Sequence, residues 1–281
     1  MRYKIVSDSA SNIHTIEQVP FSYAPLHIIV GDRDFPDDDR LDLVRMEEAL
    51  SRGGKSGTAC PGTGDWLDAF GDAEIIFCVT ITSGLSGSCA AARAAKAEYE
   101  EQYPLRHVHV IDSLSAGPEM ALLIEKLQEL ICTGASENEI LDSIREYACR
   151  TRLLFCLKSL RNLANNGRVS PSAAKICEIL GIRVVGQASP QGTLEILNKC
   201  HGEAGALSRM VKIMNGAGFS GGKVRLMHNN NEKAAEKLAG LIRGTWENAD
   251  VRISPTLGLC GYYAENGGIM LGFDTPGSSR L

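Results

Sequence analysis

Two kinds of apolar stretch alternate through the first half of the chain. Short, nearly continuous runs rich in Ile and Val each end in a cluster of Ser, Thr and Asp: "YKIVSDSASN", "EIIFCVTITSGLSGS" and "RHVHVIDSLSAGPEM". The stretches after them are longer and carry helical spacing, as in residues 119–133, "EMALLIEKLQELICT". Strand, polar corner, helix, repeated three times, predicts βαβ units and a mostly parallel sheet. Ligands of such sheets bind beyond the carboxyl ends of the strands, where the three corners fall. Gly134 stops the helix over 119–133, and Ser136 with Glu139 forms a capping box for the next one.

Near Arg150 the pattern changes. "TRLLFCLKSLRNLANNGRVSPSAAKICEIL" reads as a short strand, a helix, an Asn-Gly turn and another helix. "GIRVVGQ" and "GTLEILN", joined by "ASPQG", predict a hairpin. A helix over 203–215, the strand "KVRLMH", a helix over 231–243 and strands at "VRISP" and "GGIMLGF" complete the chain. The expectation is an α/β protein of two domains. Residues 1–150 form an N-terminal parallel-sheet α/β/α layer domain, and residues 151–281 a C-terminal α/β domain with a mixed sheet.

Composition narrows the classes. At 281 residues, 44% hydrophobic and 22% charged, the chain suits an ordinary globular protein with a sizeable core. A net charge of −5, with no dense Lys/Arg cluster, argues against nucleic acid as a partner. "MRYKIVSDSA" lacks the apolar core of a signal peptide, and the apolar runs are too short to span a bilayer, so a cytoplasmic protein without membrane insertion is expected. The nine cysteines include no CxxC and lack metal-ligand spacing; they read as reduced, small apolar residues, and no metal is expected.

Candidate chemistry centres on "TSGLSGS", residues 82–88. Gly84 and Gly87 permit positive φ and close backbone approach. A helix starting near Ser88 offers unpaired N–H groups and a positive dipole end beside the Ser86 hydroxyl, which suits an anion. A tight βα turn built of small residues for packing would use the same composition. "RGGKSG" at 52–57 is not a P-loop, because the first motif glycine would fall on Ala49 and the segment follows a helix. The dinucleotide-binding GxGxxG is also missing from the first corner. Gly84–Ser88 approaches the nucleophile elbow GxSxG but ends in Ser88; His107, His109, His201 and His228 are the histidines a serine hydrolase could draw on.

In their order along the chain, "SDSASN", "TACPG" at 58–62, "TSGLSGS", "IDSLSAG" at 111–117, "NGRVSPSAAKI" at 166–176 and the closing "GLCGYYAENGGIMLGF" resemble the DegV family over nearly the whole length. The resemblance implies a bacterial two-domain α/β protein that holds one long-chain fatty acid between its domains and presents it to a separate fatty acid kinase for acyl-phosphate formation in phospholipid synthesis. It implies no catalytic residue and no cofactor beyond the bound fatty acid. On the same resemblance Thr58, Ser86 and the N–H groups of Gly87 and Ser88 grip the carboxylate, and Arg168 engages the kinase. Three positions depart from the family pattern. Asn166 stands where the family's turn before Arg168 has a glycine, His201 where an arginine is usual, and Tyr263 where a histidine is usual. A lipid chaperone without a kinase partner, a serine hydrolase and a small-molecule kinase relative are the alternative readings.

Overall fold

The computed structural model describes residues 3–177 and 180–275. The chain opens with β1 (Tyr3–Asp8), β2 (Phe21–Ala24), β3 (His27–Val30), β4 (Arg33–Pro36), helix α1 (Leu43–Ser51) and β5 (Ser56–Ala59). Then come α2 (Thr63–Phe70), β6 (Ile75–Thr80), α3 (Ser88–Gln102), β7 (His107–Asp112), α4 (Pro118–Cys132) and α5 (Glu137–Arg150). Strands β2-β1-β6-β7 make a sheet in that order, every pair parallel. The polar corners after β1, β6 and β7 therefore share one edge, as their sequence pattern predicts. A second, three-stranded antiparallel sheet, β4-β3-β5, lies outside the sequence expectation; its four-residue strands are too short to show a period.

The rest of the chain contributes β8 (Thr151–Leu157), α6 (Arg161–Asn165), α7 (Pro171–Ile176), β9 (Ile182–Ala188), β10 (Leu194–His201) and α8 (Gly202–Gly216). It ends with β11 (Gly222–His228), α9 (Glu232–Thr245), β12 (Ala249–Pro255), α10 (Gly258–Ala264) and β13 (Ile269–Asp274). The six-stranded sheet runs β10-β9-β8-β13-β11-β12, with only β11 and β12 parallel. The glycine-rich last strand is threaded into the sheet centre, antiparallel to both β8 and β11. The expected hairpin is β9–β10.

Alternation along the strands sorts the core into layers. Val6, Ile76 and Cys78 pack with Trp66, Phe70, Ala92 and Tyr99 under α2 and α3. Ile5, Phe77 and Val79 face the other way, onto Met120, Leu123 and Leu127 of α4 and Ile140 and Ile144 of α5. Helix α4 also contacts β13, β11 and β8 of the larger sheet, so it is a middle layer shared by both sheets. That position explains a segment, Pro118 to Ile124, buried on every side. Gly272 permits the approach: a Cβ there would lie 2.6 Å from the Pro118 carbonyl. Helices α8 and α9 cover the outer face of the larger sheet, with Leu207, Met210, Leu238 and Ile242 buried against Leu154, Val224 and Phe273.

Candidate functional site

The β6–α3 corner is held from below by carboxylates. Asp8, at the end of β1 and fully buried, accepts hydrogen bonds from Ile81 N–H at 2.9 Å and Ser88 Oγ at 2.6 Å. Burial pushes its carboxyl up to about 7, against the opposing pull of the Ser88 and Ile81 hydrogen bonds. Asp112, at the end of β7, accepts from the N–H groups of Ser83 and Leu114, each at 3.1 Å. Strands β1 and β7 thus each end in a carboxylate that shapes the shared edge.

The glycines serve close approach rather than an unusual backbone. Gly87 has φ of −73°, and Gly84 does not adopt a positive φ. A Cβ on Gly84 would instead sit 3.0 Å from the Gln191 and Gly192 carbonyl oxygens, so the β9–β10 turn rests directly on the corner. Gly192 reciprocates. Its φ is +75°, and a Cβ there would fall 2.0 Å from Thr82 Oγ1. One half of the chain closes against the other through backbone.

Behind this contact lies a cavity of about 710 Å³ including its mouth. Leu153, Phe155 and Leu157 of β8, Leu163, Leu194, Leu259, Ala264 and Met270 line it from the second half; Ala10, Leu26, Ile81 and Ala116 line it from the first. The polar side chains in this apolar wall are few and convergent: Thr58, Ser86, Arg168 and Tyr263. Thr58 on β5 and Tyr263 on α10 share a hydroxyl–hydroxyl hydrogen bond of 2.7 Å. Burial raises the Tyr263 phenol, while the Thr58 bond and the charge of Arg168 oppose the rise. The phenol is therefore protonated at neutral pH and able to donate. Arg168 donates from Nε to the Leu85 carbonyl at 3.2 Å and from an η nitrogen to the Asn166 carbonyl.

The Arg168 turn is built locally. Gly167 takes φ of +73°, and Arg168 N–H closes onto the Leu163 carbonyl at 2.8 Å. Asn166, where the resemblance implies a glycine, donates to the Asn162 carbonyl at 2.8 Å and to Tyr262 Oη at 2.9 Å, anchoring the turn to α10.

Of the residues singled out in the sequence, Thr58, Ser86 and Arg168 come together at the cavity, all half-buried. Gly87 and Ser88 are outside its lining. The Ser88 N–H, expected to grip the carboxylate, donates to Ser86 Oγ at 3.2 Å, and the Ser88 hydroxyl is turned inward onto Asp8. It organises the corner from behind rather than facing the cavity. Gly87 is exposed, with Cys60 Sγ 3.2 Å from where its Cβ would be. Arg168, expected to face a partner, has its guanidinium against the corner. Tyr263, noted in the sequence only as a departure, is a member of the polar cluster. His201 ends β10, exposed and away from the cavity lining. No histidine is among the lining residues, and Ser86 Oγ accepts from a backbone N–H.

With this geometry in hand, the chain was compared with known proteins. The profile described as "Uncharacterised protein, DegV family" matches residues 2–274. A DegV domain-containing protein of Streptococcus pneumoniae is 42% identical over 279 residues, covering 98% of this chain and 99% of the relative. Among solved structures, a DegV family protein from Eubacterium eligens loaded with heptadecanoic acid superposes with a TM-score of 0.95 at 45% identity, covering 97% of this chain and 99% of that one. The Streptococcus pneumoniae Fatty Acid Kinase B3 protein loaded with linoleic acid gives a TM-score of 0.95 at 42% identity, covering 98% and 99%.

Proposed function

Since this chain belongs to the DegV family, we propose that it binds one long-chain fatty acid in the cavity between its two halves and presents the carboxyl end to a fatty acid kinase. The observation that carries this reading is the cavity itself: a mostly apolar wall in which the polar groups are Thr58, Ser86, Arg168 and Tyr263. Hydroxyl and guanidinium donors suit a carboxylate, each charge-assisted bond contributing roughly 1.5–3 kcal/mol. The leucine-rich wall suits the hydrocarbon, whose burial contributes about 0.8 kcal/mol per methylene. The tail thus supplies most of the affinity, and the polar cluster decides which end faces the mouth.

Residues 1–150 and 151–281 act on this reading as two domains closing over the lipid. The chain supplies no catalytic group; it is a substrate carrier, and the acyl-phosphate forms on the partner kinase. Among the described residues lining the cavity Ser86 has no histidine neighbour, and its Oγ accepts from the Ser88 N–H, an arrangement that suits a carrier. The ligand pairing reported for the two close structural relatives, heptadecanoic and linoleic acid, supports the ligand class, and the name of the second supports the kinase partner.

Native mass spectrometry of protein purified from bacteria is expected to show one co-purified fatty acid per chain. Calorimetry on delipidated protein is expected to give a Ser86→Ala affinity lower by about 1–3 kcal/mol with the fold retained. Unchanged affinity in that variant would remove the β6–α3 corner as the grip.

A further inference from the structure

At the opposite end of the parallel sheet from the cavity, a second cluster of side chains converges. His107 and His109 are two residues apart on the edge strand β7, so both project from one face. Glu137, the first residue of α5, meets them there: Oε1 lies 3.0 Å from His107 Nδ1 and 2.5 Å from His109 Nε2. The three ligand-capable atoms all lie within 4.8 Å of one another.

We propose that His107, His109 and Glu137 form a binding site for a divalent transition-metal cation, with zinc the best fit. Two imidazoles and one carboxylate match zinc's preferred nitrogen and oxygen donors, and leave a fourth position for water. Metal–ligand bonds of 2.0–2.1 Å at a tetrahedral angle place donor atoms about 3.3 Å apart. The observed 2.5 and 3.0 Å from Glu137 need to open by less than an ångström, and the two imidazole nitrogens, within 4.8 Å of one another, need to come to the same spacing.

The donors stand on rigid supports. Phe77 stacks against the His109 ring at 5.5 Å between centroids. Helix α5 starts at a fixed point, because Ser136 and Glu139 form a capping box around its first turn. Such support from neighbouring side chains is what a metal site needs to hold its geometry. His107, with half its side chain exposed, leaves a path from solvent. Two imidazoles aimed at a single carboxylate oxygen also make a plain ion-pair network, and the test separates the two. Asp112 lies five steps along β7 from His107, about 16 Å at strand rise, so the ion would tie β7 to α5 without touching the lipid.

The test uses tag-free, full-length protein stripped with a chelator and titrated with zinc by calorimetry, with cobalt substitution read by visible absorption. One equivalent of zinc is expected, with a cobalt spectrum free of thiolate charge-transfer bands. His109→Ala and the near-isosteric Glu137→Gln are each expected to weaken zinc binding by about tenfold or more. His107→Ala, at the most exposed of the three positions, is expected to do the same with the smallest effect on folding. Fatty acid affinity is expected to be unchanged in all three. No binding heat with zinc in large excess would overturn the proposal. So would binding undiminished in the variants, or cobalt bands placing the ion on the exposed thiols Cys60, Cys132 or Cys149.

Discussion

A buried carboxyl is the residue on which the binding corner is built, and it ties the corner to pH. Asp8 ionises near 4 in an unfolded chain and, by burial, near 7 in the folded one. Between those values the folded state holds the proton that the unfolded state has released. Stability contributed by this group is therefore present at about pH 4, falls as pH rises toward 7, and is level above that. The full excursion is roughly 4 kcal/mol, from 1.36 kcal/mol per unit. Asp8→Asn removes the ionisation while keeping an oxygen to accept from Ile81 and Ser88. Urea unfolding is expected to show the variant gaining on the natural protein between about pH 4 and pH 8. Equal slopes for the two proteins across that window would mean that Asp8 ionises as freely in the fold as outside it. Tyr263 makes the complementary point about a departure from family pattern. Its hydroxyl makes a hydrogen bond with Thr58, so where the family resemblance implies a histidine, tyrosine would retain a donor without a group that titrates near neutrality.

At the scale of elements, the strand–corner–helix repeat was legible because period and turn chemistry are local. The parallel strands β1, β6 and β7, the Ser136/Glu139 cap and the β9–β10 hairpin all follow from neighbours in sequence. The small antiparallel sheet and the central placement of β13 were not legible, since both are set by pairing across many residues. The same limit applies to the site. Ser86 stood out by its corner chemistry, and Thr58 and Arg168 only through the family resemblance, whereas the inward turn of Ser88 depends on Asp8, eighty positions away. The role of the glycines was visible only in part: close approach rather than positive φ is what Gly84 provides, and its partner is a turn of the other half. Gly192 carries the sharper consequence. Replacing it with Ala forces an L-residue into φ of +75° and a Cβ onto Thr82 Oγ1 at 2.0 Å. Gly192→Ala is expected to lose at least about 2 kcal/mol of stability in urea unfolding. A loss within 0.5 kcal/mol, the range of an ordinary surface change, would show that the turn can lift from the corner freely.

For the whole molecule, the decisive contact is the one made by Arg168 across the two halves. The arginine starts from a turn packed on the larger sheet, reaches the carbonyl of Leu85 beside Ser86, and lines the cavity on the way. On the proposed reading, a residue so placed would act on closure and on the lipid carboxylate together, because the carboxylate and the Leu85 carbonyl would draw on the same guanidinium donors. Removal of the side chain leaves Thr58, Ser86 and Tyr263 in place but withdraws the one fixed positive charge among the cavity-lining residues. Arg168→Ala is accordingly expected to weaken fatty acid binding by about 1–2 kcal/mol, a factor of roughly 5–30 in Kd. At one fixed, saturating fatty acid concentration the stabilisation given to the protein should shrink by the same amount, since a ligand specific to the folded state stabilises by the logarithm of its concentration relative to Kd. If a fatty acid kinase is the partner, as proposed, acyl-phosphate formation measured at fatty acid concentrations that saturate the variant separates two roles for this residue. Recovery of the normal rate at saturation places Arg168 with the lipid and the closure of the halves. A variant that keeps its fatty acid affinity while the rate stays low places it with the kinase, and the contact to Leu85 is then a resting position from which the side chain turns outward on docking.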